Sequence, residues 1–405
     1  MANPIRYGLR VLSALAAVLL LAGCWDRKEL NDISVVTGMA VDKAPEGRYR
    51  LSIEAVNVAS LNPKRGGDLA PSVIYSLEGP TLEETFHRMN EGISRVPILS
   101  HMRVLVISEE LARERPLNFI DFLQRNREIR NDFSILIAKG GNAKEVLTMS
   151  YPLQKVATSK LNKQLRTLKS EWGGSPDVRL DSLIEAYEAP GRQPVMGYVS
   201  IAGTKPERQE DNIKRMTPAL VRTEGMAVFR DLKMVGVLNQ EDVRNFLWTQ
   251  NKIDRTSLTV PLKSGAYMGV RIIHSRSGIK TRMNGSKPLL EVTVRLEGVI
   301  EALQTGVGLE DLARYEQLEQ TVSRMLEKKI RLTVVKAQKE FRADIFGFGD
   351  ALYRRYPRQF KRYREDWDDA FARGDVVVRV RTVLARTGTI RSPVFVGKED
   401  SDTGT

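Results

Sequence analysis

Side chains that could bind a transition metal or act as a nucleophile are few in this sequence of 405 residues. Cys24 is the only cysteine, so one chain can form neither an internal disulfide nor a zinc or iron–sulfur site built from cysteines. The three histidines, His87, His101 and His274, lie far apart and do not show metal-ligand spacing. We therefore expect no bound metal and no cofactor, and we interpret His87 and His101 as structural polar groups.

Sequence motifs of nucleotide-binding proteins and hydrolases are absent. The glycines at 306 and 308 and those at 347 and 349 lack the third glycine of a dinucleotide-binding loop, and no Gly-x4-Gly-Lys-Ser/Thr motif occurs. There is also no Gly-x-Ser-x-Gly motif. A Ser/His/Asp triad or a carboxylate pair assembled only by folding would leave no local motif and stays open. Because nothing in the sequence points to one, we predict that the chain is not an enzyme.

The N-terminus has the features of an export signal. Arg6 and Arg10 precede an apolar run from Val11 to Ala22 that only Ser13 interrupts. As a helix this run would be about 18 Å long, too short for a hydrocarbon layer of roughly 30 Å. We predict that residues 1–23 are a signal peptide that is cut away. The alternative is a short membrane anchor or buried helix followed by an incidental cysteine.

The four residues Leu21-Ala22-Gly23-Cys24 resemble the lipobox of bacterial lipoproteins. The resemblance implies that diacylglycerol is attached to the Cys24 thiol and that the mature chain begins at this residue. Each acyl chain then contributes about 0.8 kcal/mol per buried CH₂, and two or more chains anchor stably. Because no later apolar run is long enough to span a bilayer, we predict a lipoprotein whose body lies in water beside a membrane.

The segment from Trp25 to Asp32 connects the predicted lipid site to the rest of the chain. It could be a loose spacer, although spacers are usually rich in Ser and Gly. Trp25 is suited to the headgroup layer, and Leu30 could pack into the folded body. We favour an oriented tether that holds the body close to the membrane, with Trp25, Asp26, Glu29 and Leu30 as its membrane-proximal motif.

The same motif, Gly23-Cys24-Trp25-Asp26-x-x-Glu29-Leu30, resembles the opening of the Ger(x)C family of spore germination lipoproteins. Further segments resemble landmarks of that family in the right order: His101–Glu109, Asp121-Phe122, Arg127–Arg130, Gly225–Phe229 and Asp344–Gly349. The resemblance therefore covers nearly the whole mature chain. Its N-terminal motif is highly specific, whereas each later segment would be weak evidence alone.

This resemblance implies a C subunit of a germinant receptor, attached by its lipid to the outer face of the spore inner membrane. Its expected partners are two integral membrane subunits, of A and B type. In the family the B-type subunit, similar to amino-acid transporters, receives the germinant, and the C subunit would support assembly or signalling. One alternative is a binding lipoprotein that delivers a small ligand to a membrane transporter, and another is a surface enzyme acting on wall or lipid.

Composition and pattern indicate an α+β protein. The chain is 42% hydrophobic and 28% charged, which is ordinary for a globular protein. We predict mixed or antiparallel sheets with packed helices, arranged in several lobes. The predicted regions are a signal peptide (1–23), an N-terminal α/β region (24–202), a linker (203–218), a C-terminal α+β region (219–396, with lobes at about 219–300 and 301–396) and a polar tail (397–405).

Several elements are predicted from local pattern. The pattern of residues 33–58 predicts a β-hairpin with its turn at 44–47. Thr81 with Glu84 predicts the start of a helix. Short strands are expected at 104–108, 133–138 and 195–201, with helices at about 116–130 and 177–189. The C-terminal region is predicted to begin with a hairpin over 225–238, a helix over 240–251 and antiparallel strands at 257–262, 269–275 and 289–296.

A long amphipathic helix is predicted between Gly308 and Gly347, where neither glycine nor proline occurs. Apolar residues recur there at intervals of three and four, so residues 309–343 would form a helix of about 50 Å. A second helix is predicted over 357–371 and a strand over 376–384.

The segment 353–364 carries six cations interleaved with aromatic residues and contains no acid. In an exported protein we do not expect nucleic acid as its partner. Contact with anionic headgroups or a membrane partner is one interpretation. The other is structural, because Phe360, Tyr363, Trp367 and Phe371 would lie on one helical stripe facing the core. The six cations are Arg354, Arg355, Arg358, Lys361, Arg362 and Arg364.

Overall fold

The computed structural model describes Gly8 and residues 32–57, 70–114, 117–151, 153–203, 219–253, 255–263, 265–304 and 312–385. The strands of these residues are β1 (Ile33–Lys43), β2 (Tyr49–Val56), β3 (Ser72–Gly79), β4 (Val96–Ile98), β5 (Val104–Ser108), β6 (Ser134–Ala138), β7 (Val195–Ala202), β8 (Leu220–Arg230), β9 (Lys233–Asn239), β10 (Thr256–Pro261), β11 (Tyr267–Asn284), β12 (Lys287–Leu303) and β13 (Asp375–Ala385).

Helices of the same residues alternate with the strands in the first half and cluster in the second. They are α1 (Leu82–Arg88), α2 (Glu109–Glu114), α3 (Ile120–Arg125), α4 (Ala143–Leu147), α5 (Ala157–Trp172), α6 (Leu180–Glu188), α7 (Gln240–Thr249), α8 (Leu312–Lys336), α9 (Phe348–Arg355), α10 (Pro357–Phe360) and α11 (Trp367–Arg373). The predicted α+β class is confirmed.

The predicted N-terminal hairpin is confirmed. Strands β1 and β2 pair antiparallel from Lys43 opposite Tyr49 onward. The turn between them contains Pro45 and Gly47, and Gly47 has a φ of 72°, which glycine adopts without steric cost. The predicted helix start is also confirmed, because the Thr81 hydroxyl accepts a hydrogen bond from the backbone N–H of Glu84.

The large sheet has the strand order β3-β2-β1-β5-β6-β7-β8-β9, with β4 paired to β1. Strands β1, β5, β6 and β7 run parallel, and the remaining strands of the main path pair antiparallel. Every residue of β5 and β6 is buried, as expected for parallel strands that are covered on both faces. This sheet takes strands from both sides of the predicted linker at 203–218, most of which lies outside the described residues.

The second sheet is built around a long hairpin. Its order is β10-β11-β12-β13, and the strands β11 and β12 pair antiparallel from Met268 to Asn284. The predicted antiparallel strands are confirmed, and two of them are longer than the sequence indicated. Strand β13 lies parallel to β12.

The predicted long helix is confirmed over 312–341. Helix α8 has 25 residues and continues through five residues of π-helix, Ala337–Phe341, which gives a length of about 45 Å. Its apolar face is buried and includes Val322, Leu326 and Ile330. Residues 309–311 of the prediction lie outside the described residues.

Two local predictions differ from the structure, and one helix had not been predicted. The helix predicted over 357–371 is wrong, because α10 ends at Phe360 and α11 begins only at Trp367. Residues 361–366 between them are exposed apart from the half-buried Tyr363 and include three like charges, so a continuous helix would gain little there from packing. The helix predicted at about 116–130 is only Ile120–Arg125, and the sixteen-residue α5 was not predicted.

No helix in the described ranges is long and apolar enough to cross a bilayer. One large hydrophobic core joins the two sheets, and it includes Met39 and Ile107 from the first sheet and Val292 and Ile330 from the C-terminal part. The strands and helices near the cationic segment are therefore held by a common core.

Candidate functional site

The predicted lipid site and its motif cannot be located in the fold. Cys24, Trp25, Asp26, Glu29 and Leu30 all lie outside the described residues. After Gly8, the described residues resume at Asp32, whose carbonyl accepts a hydrogen bond of 2.8 Å from the backbone N–H of Val96. The chain thus enters directly into β1, an inner strand of the large sheet.

The six cations of the segment 353–364 are all exposed. They lie on α9, on α10 and in the turn that follows, and we call them the cationic surface. Arg354 forms an ion pair of 2.7 Å with Asp350. Within the described residues, the other five cations form no ion pair with a carboxylate. This surface therefore keeps most of its positive charge available for a partner.

Tyr353 and Tyr356 are exposed beside these cations, whereas Phe360 and the aromatic residues that follow the segment lie beneath the surface. Phe360 and Trp367 are each only 2% exposed, and their ring centroids are 5.6 Å apart. Phe371 is fully buried and Tyr363 is half-buried. The interpretation of these rings as core is confirmed for Phe360, Trp367 and Phe371, while the cations face solvent.

A buried carboxylate fixes the loop that begins the cationic surface. Asp344 is fully buried, and its oxygens accept hydrogen bonds from the backbone N–H groups of Gly347 and Gly349 at 2.9 and 2.8 Å. A third backbone bond comes from Phe346, and the indole of Trp367 donates at 3.0 Å. Burial raises the pKa of Asp344 to about 6, although these hydrogen bonds act in the opposite direction.

Glycines allow two backbone segments to meet at this carboxylate. A Cβ on Gly349 would lie 2.6 Å from both the carbonyl oxygen of Gly191 and the indole nitrogen of Trp367. A Cβ on Gly191 would lie 2.7 Å from Trp367, and Gly191 also has a φ of 66°. Any larger residue at either position would force the two segments apart.

The loop before β7 is joined to the same region by Gln193. Its backbone N–H donates to the carbonyl of Asp344 at 2.9 Å, and its side chain donates to Asp368 at 3.1 Å. Its side-chain oxygen accepts a bond from the backbone of Asp231. Gln193 thus connects the large sheet to the helices that carry the cationic surface, so this surface has a fixed position on the fold.

Two other buried carboxylates were not singled out by the sequence. Glu54 on β2 accepts hydrogen bonds from the first backbone N–H groups of α5, at Ala157 and Thr158. Asp42 on β1 accepts bonds from the corresponding groups of α4, at Ala143 and Lys144. Burial raises the pKa of Asp42, while its two backbone hydrogen bonds act to lower it. Both carboxylates are helix caps supplied from distant strands.

Among the described side chains, the three histidines do not lie in a cluster with other possible metal ligands. His87, His101 and His274 are all exposed, and His101 forms a hydrogen bond of 3.0 Å with Ser100. Over the part of the chain that the structure describes, no three His, Cys, Asp or Glu side chains are grouped so that they could hold a metal. The features available for function there are a charged surface, a rigid junction and a cleft beside that junction, lined by Arg192, Gln250 and Gly347 among others.

These features define an α+β protein of two joined sheets whose candidate site is a contact surface. Two family models match it: "Spore germination protein N-terminal domain" over residues 26–201 and "Spore germination B3/ GerAC like, C-terminal" over residues 224–388. Together they span most of the sequence, and the chain belongs to the Ger(x)C family of spore germination proteins.

Its relatives in Bacillus subtilis (strain 168) are of similar length. The chain is 27% identical to spore germination protein KC over 400 residues, covering 96% of this chain and 98% of that protein. It is 23% identical to spore germination protein B3 over 382 residues, covering 92% and 96%. The crystal structure of the GerBC protein matches with a TM-score of 0.56 and 16% identity, covering 86% of this chain and 97% of that one. At this identity, the similarity to GerBC shows a shared fold and nothing more.

Proposed function

We propose that this chain is the lipid-anchored C subunit of a spore germinant receptor, needed for germination through assembly or signalling with A- and B-type integral membrane subunits. The observation that carries the proposal is the match of both family models, in order, along nearly the whole mature sequence. Relatives matched over almost their full length bear the names of spore germination proteins. The proposed location is the outer face of the spore inner membrane.

Cys24 is the proposed anchor, and residues 1–23 are the proposed signal peptide. Seven residues lie between Cys24 and Asp32, so Asp32, the residue before β1, can lie at most about 28 Å from the lipidated residue. This short connection supports an oriented tether in which Trp25, Asp26, Glu29 and Leu30 lie near the membrane. Confinement to a surface raises the effective concentration of the body near its partners without requiring high intrinsic affinity.

The cationic surface is the proposed contact for anionic headgroups or for a membrane subunit. Its cations are exposed together with Tyr353 and Tyr356, while Phe360 is buried and fixes the segment to the core. Each Lys or Arg near an anionic membrane contributes about 1 kcal/mol, so several together would orient the tethered body. We propose no catalytic role for the chain, since the family is one of receptor subunits.

A second candidate function is delivery of a small ligand to a membrane transporter. One observation favours it: a cleft of about 570 Å³ lies beside the junction formed by Gln193 and Asp344, between side chains of the N-terminal and C-terminal regions. A polar-lined cleft between two parts of a chain is a common place for a small ligand.

The two candidates are separated by the requirement for the tether. We expect Cys24→Ala to abolish the germination response and to prevent co-purification with the A- and B-type subunits from spore membranes. Fusing the same variant to an unrelated transmembrane helix should restore both, because only confinement is required. A normal germination response from soluble Cys24→Ala protein would contradict recruitment through the tether and favour ligand delivery.

A further inference from the structure

The cleft beside the junction has five walls. They are α6 at Ser182 and Glu185, the Arg192 side chain before β7, residues 249–252 at and after the end of α7, the segment 277–281 of β11, and α9 with the loop before it. Its volume of about 570 Å³ lies within the range of sites for small molecules. The walls come from elements that share one core, so the cleft is largely preformed.

Positive charge dominates the lining. Five cations, Arg192, Lys252, Lys280, Arg354 and Arg355, face two carboxylates, Glu185 and Asp350. Asp350 is already paired with Arg354. Among the described residues, none of the other four cations forms an ion pair with a carboxylate.

The pKa of Lys252 is lowered by its surroundings in the cleft. The residue lines the cleft and is partly exposed to solvent, yet the surrounding protein lowers its pKa by desolvation and, to a smaller extent, by repulsion from Lys169 and Arg192. An ammonium group in such surroundings would be stabilised by a bound anion.

Arg192 is held in position by neutral groups. One terminal nitrogen of its guanidinium donates to the side-chain oxygen of Gln250 at 3.0 Å. The Gln250 amide in turn donates to the carbonyl of Phe346 at 3.0 Å. The Nε atom of Arg192 is buried and has no hydrogen-bond partner in the described structure. A buried donor of this kind calls for a partner that the protein itself does not supply, and a fixed guanidinium suits an oxyanion.

The β11 wall adds a backbone donor. The N–H of Ser277 donates to the Asn251 side chain at 2.7 Å, so it points away from β12. Backbone groups alternate sides every residue, so the N–H of Ile279 points the same way. Strand β10 pairs with β11 only as far as Ile272. Ile279 itself lines the cleft.

The hydroxyl groups of the lining are already used. Thr249 and Thr281 donate to the backbone carbonyls of Phe246 and Phe348 at 2.7 and 2.8 Å, and Ser277 donates to the carbonyl of Trp248. The groups left for a ligand are therefore mainly cationic or N–H donors. Such a set satisfies a ligand that accepts hydrogen bonds and carries negative charge, and it suits a neutral polyol poorly.

We propose that this cleft binds a small multivalent oxyanion, a dicarboxylate or a phosphate compound, with Arg192 as the central ligand and Lys280 as a flanking one. The site does not depend on the proposed receptor role, so either can fail without the other. Neither the lipid site nor the cationic residues beyond Arg355 take part in it.

The test is isothermal titration of the purified full chain, in an uncharged detergent at low salt, with pyrophosphate and with succinate as probes. We expect saturable binding of at least one probe, with a dissociation constant below about 1 mM that rises with salt. Arg192→Ala should weaken it about tenfold or more, because a charged, fork-shaped donor is lost. Lys280→Ala should weaken it about threefold, because Lys280 acts mainly by charge.

Arg276→Ala is the matched control, since Arg276 is an exposed cation on β11 that lines neither the cleft nor the cationic surface. It should bind like the unchanged protein. Preference for pyrophosphate or for succinate decides which oxyanion the cleft takes, and either result supports the site. Failure of both probes to saturate by about 10 mM, or equal dissociation constants for Lys280→Ala and Arg276→Ala, would overturn it. Lys280→Ala keeps the test decisive even if Arg192→Ala folds poorly.

Discussion

The indole nitrogen of Trp367 donates a hydrogen bond of 3.0 Å to the carboxylate of Asp344, 23 residues earlier in the chain. This bond joins the glycine-containing segment 344–349 to α11, across the helices that carry the cationic surface. Since the carbonyl of Asp344 also accepts the backbone N–H of Gln193, one residue connects both regions of the chain. We infer that Asp344 is required for the position of the cationic surface and of the cleft.

Replacing Asp344 with Asn should destabilise the protein. The four N–H groups around the carboxylate need acceptors, whereas an amide offers one oxygen and turns two new N–H donors toward them. We expect the free energy of unfolding to fall by about 2–4 kcal/mol at pH 4, measured by urea denaturation of the full chain. Asp121→Asn, at an exposed carboxylate on α3, should change it little. Equal effects of the two substitutions would contradict the role of Asp344.

The stability of the protein should depend on pH through Asp344. Its pKa is raised from 3.8 to about 6 in the folded state, so between about pH 4 and pH 6 the folded protein holds this proton more tightly than the unfolded chain. The contribution is fully present below about pH 4 and is lost as the pH rises through 6. A difference of about two pKa units corresponds to about 3 kcal/mol.

Denaturation of the unchanged protein and of Asp344→Asn at several pH values measures this contribution. The stability advantage of the unchanged protein over the variant should shrink from pH 4 to pH 7, because the variant has no proton to lose at this position. If the advantage instead grows with pH, the hydrogen bonds to Asp344 lower its pKa more than burial raises it, and the prediction is wrong.

Glu54 should be required for the start of α5. This helix has no side-chain cap of its own at Val156, and the Glu54 carboxylate accepts its first backbone N–H groups. Glu54→Gln should lower the free energy of unfolding by about 2–4 kcal/mol, since the amide places an N–H₂ group among donors. Hydrogen exchange at Ala157 and Thr158 should become faster. Glu83→Gln, in the exposed first turn of α1, should leave these amides unchanged; if it accelerates them equally, the capping role is wrong.

Two glutamates of α8 should protect the outer edge of β13. Glu327 and Glu319 accept hydrogen bonds from the backbone N–H groups of Val380 and Leu384 at 2.9 and 2.8 Å. Removing both as Glu319→Ala/Glu327→Ala should speed hydrogen exchange at these amides about tenfold or more and expose an edge that pairs with other chains. Sedimentation should then show larger species.

Glu316→Ala is the control for this edge, because Glu316 is exposed on the same helix. It should change neither exchange nor sedimentation. Unchanged exchange in the double variant would show that the edge is protected by other means.

Features with local causes could be predicted from the sequence. The β1–β2 hairpin follows from a turn that contains Pro45 and Gly47, and α8 follows from apolar residues at intervals of three and four. The exposure of the cationic surface and the burial of Phe360 and Trp367 also follow from residue type. Such patterns depend only on neighbouring residues.

Features with distant causes could not be predicted. Helix α5 is capped by Glu54, about one hundred residues earlier, so no cap signal precedes it in the sequence. The segment 357–371 has the pattern of one helix, yet the contacts of Trp367 with Asp344 and with the segment at Gly191 accompany its division into α10 and α11. The cleft is likewise formed by residues brought together from 182 to 355. Its charge was not evident in any single stretch of sequence.

The central claim is that Cys24 is lipidated and holds this germination protein at a membrane. Mass spectrometry of the N-terminal peptide, from chain extracted out of spore membranes, tests it most directly. We predict a peptide that begins at Cys24 and carries diacylglycerol on its sulfur. An unmodified thiol at position 24, or residues 1–23 still attached, would contradict the account.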